Sequence, residues 1–486
     1  MVEKTTKSLK KNFGYNLVLT LCKYLFPLMT YPYVSRVLGV DKIGLCNFVD
    51  SIINYFVLFS TLGITSYGVR EIAKCRNDLV RKNKVFSNLL AINFIGTILA
   101  IVVLVACTLC VPALLVYQKY LWVGIGKLFF EMFLIEWFFQ GIQEFKYITI
   151  RSIVVRFVYV ACVFIFVHTE NDALIYFTLN VVVVVLNAAC NWLYSKRFIT
   201  FSLKSLNIRT YLIPVLVFGY YRLLTYMYTT FNTVFLGFCS GDREVGFFTT
   251  ATKLYSIIMA LFTTFTTVMV PKVSELLAEG KKEELQRIAN QTFSLLSVIA
   301  FPIIISCLFY ANEIILLIAG SGYEGANPVF RIVILLLLII GVEQIVIQQF
   351  LMASSSNKSI FAVSTTGAIV GIVMNILVTS RLGAVGSALA WGVSEISVLF
   401  VGIILLNKYM GIKIHLKPFV SAFFSSLLYI PIPLICKTMW DFPLFFSLAI
   451  MVMNFILFFF VINLKVSKNG FILDFVKKMR IRRGKF

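Results

Sequence analysis

VFSNLLAINFIGTILAIVVLVACTLCV, residues Val85–Val111, contains no charged side chain. A helix of about 20 apolar residues crosses the hydrocarbon core of a bilayer, so this run is long enough to span one. A single chain segment that enters lipid must satisfy its own backbone hydrogen bonds, which favours a helix. Arg81, Lys82 and Lys84 stand just before it, as basic residues do at the cytoplasmic end of a span.

Runs of the same kind recur along the 486 residues. Before Val85 they cover Asn12–Tyr33 and Gly44–Ser66, and after it Leu114–Gln140, Ile148–His168, Ala173–Tyr194, Tyr211–Phe235 and Val245–Val270. They continue as Asn290–Ala311, Val329–Met352, Ile360–Ser380, Ala384–Leu406, Pro418–Cys436 and Leu444–Leu464. About fourteen spans leave connections of roughly fourteen residues each, too short for a separate soluble domain. With 59% hydrophobic residues, 14% charged residues and a mean hydropathy of +0.90, the chain reads as an all-α integral membrane protein. The first run follows Lys4, Lys7, Lys10 and Lys11, is long, and lacks a clear small-residue cleavage site, so a retained helix is expected rather than a signal peptide.

The formal charge of +22 suggests a nucleic-acid binder only until it is mapped onto the loops. With alternating loops, 32 basic residues fall on the N-terminal side and 6 on the other, the bias of a polytopic protein with both termini cytoplasmic. The excess therefore sets orientation and can meet anionic lipid heads; no nucleic-acid partner is expected. The residues 465–486 form a basic cytoplasmic tail in this reading.

Several chemistries find no support. Ten cysteines lie mostly in apolar runs, Cys107–Cys110 included, where thiols pack as small hydrophobes. His168 and His415 fall on opposite sides, so no metal site is expected. Gly320, Gly322 and Gly325 match G-x-G-x-x-G, but they follow a membrane span rather than a strand and read as a turn. No G-x-x-x-x-G-K-[ST] occurs, so no ATP site and no cofactor are expected, and a proton or sodium gradient is left as the energy source. The stretch Ser274–Arg287 reads as an amphipathic surface helix between two halves.

The informative charges lie inside spans, where each is costly and tends to face a cavity or a partner: Lys23, Asp50, Lys127, Glu131, Glu136, Arg156, Arg222, Lys253, Arg331, Glu343 and Glu395. Lys127 and Glu131 are four apart and can pair along one helix, while Arg156 and Arg331 lie near enough to span ends to snorkel. Lys23, Asp50, Arg222, Glu343 and Glu395 have no opposite charge at helical spacing, and a water-accessible cavity between helices would account for them together. Arg222 sits in GYYRLLTYMYTTFN beside Tyr220, Tyr221, Tyr226 and Tyr228, a composition suited to a sugar and phosphate ligand, to a helix interface or to a membrane-interface belt. Gln344 and Gln348 share a face and, with Gln349, make an amide-rich stripe expected to face protein or water.

Several segments then carry a resemblance when taken in order: PLMTYPYVSRVLGVDKIGLCNFVDSIINYF (Pro27–Phe56), LGITSYGVREIAKCR (Leu62–Arg76), FNTVFLGFCSGDREVGFFTTATKL (Phe231–Leu254), VPKVSEL (Val270–Leu276), NPVFRIV (Asn327–Val333), QQFLMASSSNK (Gln348–Lys358) and MNILVTSRLGAVGSALAWGVSE (Met374–Glu395). The chain resembles the Wzx-type bacterial polysaccharide flippases, which export O-antigen or capsule repeat units, of the multidrug/oligosaccharidyl-lipid/polysaccharide exporter superfamily. Where that family often carries an acidic residue in its seventh span, this chain has Asn232.

The resemblance implies two six-helix lobes, 1–200 and 201–410, in a V around a central cavity, with an extra helix pair at 411–464. R-V-L-G … I-G (Arg36–Gly44) and V-F-L-G … V-G (Val234–Gly246) at corresponding places support a parallel repeat. It also implies a transporter rather than an enzyme, moving undecaprenyl-pyrophosphate-linked oligosaccharide from the cytoplasmic to the periplasmic leaflet of the bacterial inner membrane. A polysaccharide polymerase and chain-length machinery would be its protein partners. On this reading Lys23, Arg222, Lys253 and Tyr226 engage pyrophosphate or sugar, Arg36 and Arg70 stand at the mouths, and Asp50, Glu343 and Glu395 are candidates for ion coupling. A multidrug/cation antiporter of the same superfamily is the first rival, and a polysaccharide polymerase or ligase the second.

Overall fold

The computed structural model describes residues 2–201, 206–353 and 357–427 and the short stretches 430–431, 434–435, 446–447 and 449–453. Every regular element among them is helical, as the runs required. In chain order these are α1 (Val2–Thr61), α2 (Ile64–Lys74), α3 (Leu79–Cys110), α4 (Pro112–Leu115), α5 (Gln118–Glu131), α6 (Glu136–Gly141), α7 (Phe145–Phe166), α8 (Ala173–Ser195), α9 (Ile208–Thr229) and α10 (Phe231–Ser240). They continue with α11 (Asp242–Ala278), α12 (Lys282–Phe309), α13 (Ala311–Ile318), α14 (Ala326–Gln344), α15 (Asn357–Met374), α16 (Ser380–Met410) and α17 (Lys417–Leu427).

Among the described residues, seven helical stretches are long and apolar enough to cross a membrane, or eight if the bent pair Asp242–Ala260 and Phe262–Ala278 is one span. Two of them are far too long for a single pass. Val18–Lys74 and Ser359–Met410 contain 57 and 52 residues, roughly 80 Å of helix against about 30 Å of hydrocarbon. Each bends at a glycine outside the helical region, Gly39 (φ 72°) in α1 and Gly383 (φ 56°) in α16. A side chain would strain at either φ, so glycine is what divides these helices into two passes each. The first twelve expected spans fall on described helices and α17 covers part of the thirteenth. The fourteenth, Leu444–Leu464, and the tail 465–486 lie almost wholly outside the described residues.

The chain divides into two compact units, Met1–Thr249 and Thr250–Phe486. In the first, α1 packs on α3, α5 and α7, and α5 packs on α8. An aromatic core sits beneath α2 and α6: Trp137 stacks on Phe86 at 5.6 Å and lies against Gly68, where even a methyl group would meet the indole at 2.5 Å. In the second, α16 packs on α14 and α15, and α12 on α14 and α17.

Two expectations about individual elements change. Leu114–Gln140 is not one helix but α4, α5 and α6, broken at residues 132–135, with Ile135 at φ 34°. A buried β-branched residue is strained in that conformation, at a cost of about 1–3 kcal/mol. The aromatic contacts of Trp137 and Phe138 just beyond it hold α6 in place. Ser274–Arg287 is also not one surface helix: α11 ends at Ala278, Gly280 adopts φ 68° in the turn, and α12 starts at Lys282.

Candidate functional site

The second pass of α1 presents Asp50, Asn54 and Tyr55 to α5 and α9. Lys127 of α5 donates to Asp50 Oδ1 at 2.6 Å and to Asn54 Oδ1 at 2.8 Å, and Asn54 Nδ2 donates to Asp50 Oδ2 at 3.0 Å. Lys127 thus pairs with Asp50, 77 residues away, rather than along its own helix with Glu131. Helical spacing makes the latter contact reachable, but α5 packs directly on α1, and the carboxylate that Asn54 also holds is the better-organised acceptor. Glu131 stays in the same cluster, with Lys127, Glu136, Asp50 and Arg222 as its charged neighbours.

Beyond the break in Leu114–Gln140, Glu136 receives Arg151 Nη2 at 2.6 Å. Arg151 also donates to Ser152 Oγ at 2.9 Å and to Asn191 Oδ1. Asn191 in turn donates to the Leu134 carbonyl that the break releases. Arg151 is 7% exposed, so a residue that the loop arithmetic counts on the cytoplasmic side is a buried tie between α6, α7 and α8. A cavity of about 480 Å³ adjoins this tie, lined by Lys146, Tyr147, Arg151, Cys190 and Tyr194 among others.

Arg222 behaves differently. Half-buried on α9, it donates from Nη1 to the neutral hydroxyl of Thr65 at 3.0 Å and forms no ion pair among the described residues. One turn further, the Tyr226 ring meets Tyr55 edge-on at 6.2 Å, and Tyr55 donates its hydroxyl to the Tyr226 carbonyl at 3.1 Å. Arg222, Tyr226 and Asp50 are therefore gathered into one wall of polar groups built by α1, α2, α5 and α9. Lys23, Arg36 and Arg70 are exposed, with Arg36 donating to the Pro32 carbonyl at 2.5 Å, and Lys253 belongs to the second unit.

In that second unit, Glu343 near the end of α14 and Glu395 in α16 are close enough to bear on each other's charge. Glu395 is 3% exposed, and its Oε1 accepts the Trp391 indole N–H at 2.7 Å. Tyr255 of α11 packs edge-on against Trp391 with ring centres 5.4 Å apart. The amide stripe follows directly, wound into a π-helix over Ile345–Leu351 that turns Gln349 into the core, where Nε2 donates to Thr292 Oγ1 at 3.3 Å. π-Helical turns concentrate at functional sites. No sequence spacing joins positions 343 and 395; what the sequence offered was that each glutamate lay mid-span.

With the geometry in place, comparison with known proteins is informative. The family described as "Polysaccharide biosynthesis protein" matches residues 9–277, and the MatE family matches residues 220–377. A protein of Escherichia coli (strain K12) described as "Putative O-antigen transporter" is 24% identical over 394 residues, which is 79% of this chain and 92% of that one. A protein of Shigella dysenteriae with the same description is 23% identical over 412 residues, 82% of this chain and 98% of that one. Among solved structures, that of the lipid II flippase MurJ in an inward closed conformation superposes with a TM-score of 0.76 at 14% identity, covering 93% of this chain and 99% of MurJ. An inward-facing multidrug resistance transporter of the MATE family superposes at 0.64 and 13% identity, covering 82% and 98%. At these identities the likeness establishes the fold.

Proposed function

The chain belongs to the polysaccharide biosynthesis protein family, and from that premise we propose that it is a flippase for undecaprenyl-pyrophosphate-linked oligosaccharide, moving repeat units from the cytoplasmic to the periplasmic leaflet of the bacterial inner membrane by alternating access. The physical obstacle is a polar sugar and a pyrophosphate, whose bare passage through hydrocarbon would cost tens of kcal/mol. A wall of hydroxyls and an uncommitted cation lowers that barrier while the lipid tail stays in the bilayer.

The observation that carries the reading is Arg222. Its charge rests against a hydroxyl, so a phosphate can take the guanidinium without first breaking an ion pair. Lys127 and Arg151 lack that freedom, because each holds a carboxylate at 2.6 Å. Tyr226 and Tyr55 beside Arg222 offer faces for sugar rings. Lys23 is the further cation of this unit considered for the phosphate, with Arg36 and Arg70 considered for the mouths, and Lys253 is a candidate of the second unit. Energy comes from an ion gradient, with Asp50, Glu343 and Glu395 as the groups considered for it. Both termini face the cytoplasm, anionic lipids meet the basic loops, and the polymerase and chain-length machinery receive the product.

Arg222→Ala and Lys23→Ala test the assignment in a strain that lacks its own flippase. Each is expected to reduce surface polysaccharide at least tenfold at unchanged protein level. Normal polysaccharide from both variants would overturn the assignment. The MatE match over 220–377 favours the multidrug antiporter as the second reading. Drug sensitivity in a deletion strain whose polysaccharide is intact would select it.

A further inference from the structure

We propose that the groove between α7 and α8 binds an anionic glycerophospholipid, whose phosphate meets Arg151, Tyr147 and Lys146 while its acyl chains run along the apolar faces of the two helices. The site does not depend on what the protein transports.

Tyr147, Ile150, Arg151 and Val154 follow one another at helical spacing on α7 and line the cavity of about 480 Å³. Cys190 and Tyr194, one turn apart on α8, complete it. Such a volume is that of a small-molecule site, enough for a lipid headgroup. The wall is rigid: Tyr147 stacks on Tyr194 with ring centres 3.8 Å apart, and the Arg151 guanidinium lies 6.0 Å from the Tyr147 ring.

Two donors in this wall lack acceptors. Arg151, 7% exposed, spends Nη1 on Asn191 and Nη2 on Glu136 and Ser152, and its Nε–H has no partner among the described residues. The buried Tyr147 hydroxyl, one turn away, has none either. Burying a donor without an acceptor is costly, so the pair calls for an acceptor that the chain does not supply. A phosphodiester is such an acceptor, and a charged one, which strengthens each bond.

Charge decides which headgroup fits. Glu136 already offsets Arg151 from the protein side, and Glu144 is the acidic residue of the lining. Against it stand Lys146 in the lining and Lys196 and Arg197 just past the end of α8, with Arg197 over the Tyr194 ring at 5.2 Å. This positive end repels the added ammonium of a zwitterionic lipid and favours a headgroup whose net charge is negative. Basic pockets between membrane helices hold anionic lipid heads in this way.

The far end of the groove distinguishes a lipid from a free anion. Ile150, Val154, Phe157, Val158 and Ile165 form an unbroken exposed apolar stripe along α7, and Leu186 and Leu193 continue it on α8. An apolar surface of that extent faces acyl chains rather than water. Because Arg151 also holds Asn191, which caps the Leu134 carbonyl, an occupied groove braces the break at residues 132–135. A ligand that binds the folded chain stabilises it, so the melting temperature should depend on the charge of the surrounding lipid.

The experiment is a melting titration of the purified full chain in detergent with phosphatidylglycerol, phosphatidylcholine or inorganic phosphate, paired with native mass spectrometry to count retained lipid. Phosphatidylglycerol is expected to remain bound and to raise the melting temperature by a few degrees, whereas the other two leave it unchanged. Lys146→Gln and Tyr147→Phe should melt as wild type does without lipid and need about fivefold more phosphatidylglycerol for half the shift. Lys413→Gln, which removes a basic residue of another loop, should respond as wild type does. An equal shift from phosphatidylcholine, or from inorganic phosphate, would overturn the site. So would an unchanged phosphatidylglycerol requirement in both Lys146→Gln and Tyr147→Phe. Displacement of the retained phosphatidylglycerol by an equal concentration of undecaprenyl pyrophosphate would give the groove to the substrate instead and overturn the proposal. Loss of polysaccharide export in cells bears on the flippase reading alone and leaves this binding site standing.

Discussion

Lys127 faces Asp50 across α5 and α1, whereas Glu343 faces Glu395 across α14 and α16. Both arrangements place two charged residues in the interior of a membrane protein. The unlike pair neutralises itself, whereas two like carboxyls side by side cannot both ionise at low cost. The first unit therefore uses most of its buried charge as structure, with Arg151–Glu136 the most buried case, and leaves Arg222 uncommitted. A count of intramembrane charges cannot separate these roles, since pairing across helices decides them.

The sharpest way to break this contrast is Arg151→Met. It leaves Glu136, whose side chain is 33% exposed, without its cation and removes a bond from Asn191, which caps the Leu134 carbonyl. Removing one partner of a buried pair costs about 3–5 kcal/mol, so little folded protein should reach the membrane. Arg151→Met with Glu136→Gln should recover much of the melting temperature. A double variant no better than the single one would show that the tie contributes by packing alone.

Lys127→Met should be milder. The Asp50 side chain is 40% exposed, so solvent partly replaces the lost ammonium, and about 1–2 kcal/mol is expected. Adding Asp50→Asn should return most of it, as read by melting in detergent.

Glu343→Gln tests the other half of the contrast, because removing one charge from a like pair relieves repulsion. Its melting temperature should equal or exceed that of wild type. A loss at every pH, of the kind expected for Lys127→Met, would mean that the pair is an ordinary structural bond.

The smallest effect belongs to the exposed turn between α11 and α12. There the Lys281 ammonium, 2.9 Å from Glu279, holds that carboxyl below the usual carboxylate range. The contact is present at neutral pH and is lost as acid protonates Glu279, yet exposed pairs contribute little. Glu279→Gln should leave melting unchanged, which makes it the control for the other three variants.

Much of this was legible in the sequence and some was not. Long uncharged runs such as Val85–Val111 dictate helices, and the mid-span positions of Asp50, Arg222, Glu343 and Glu395 marked them as unusual. Gly39 and Gly383 give no signal that distinguishes them from other glycines, because their φ is set by where two passes must bend. The break at residues 132–135 was hidden for a similar reason: MFLI is as apolar as the helix around it, and what stabilises the interruption is Asn191, 57 residues from Leu134. Helical spacing suggested Lys127–Glu131, since a linear pattern reveals only partners on the same helix. Arg151 looked like a loop residue because it lies close to Lys146 at the start of its span. Only α7 packing on α8 shows it turned inward.

The central claim is that Arg222, its charge resting on the Thr65 hydroxyl, holds the substrate of a flippase. The most direct measurement reconstitutes the purified chain in liposomes with a fluorescent undecaprenyl-pyrophosphate-linked oligosaccharide and follows its appearance in the opposite leaflet, with and without an imposed pH gradient. The account predicts transfer by wild type that is lost in Arg222→Ala. Equal transfer by wild type and Arg222→Ala, with or without the gradient, would contradict it.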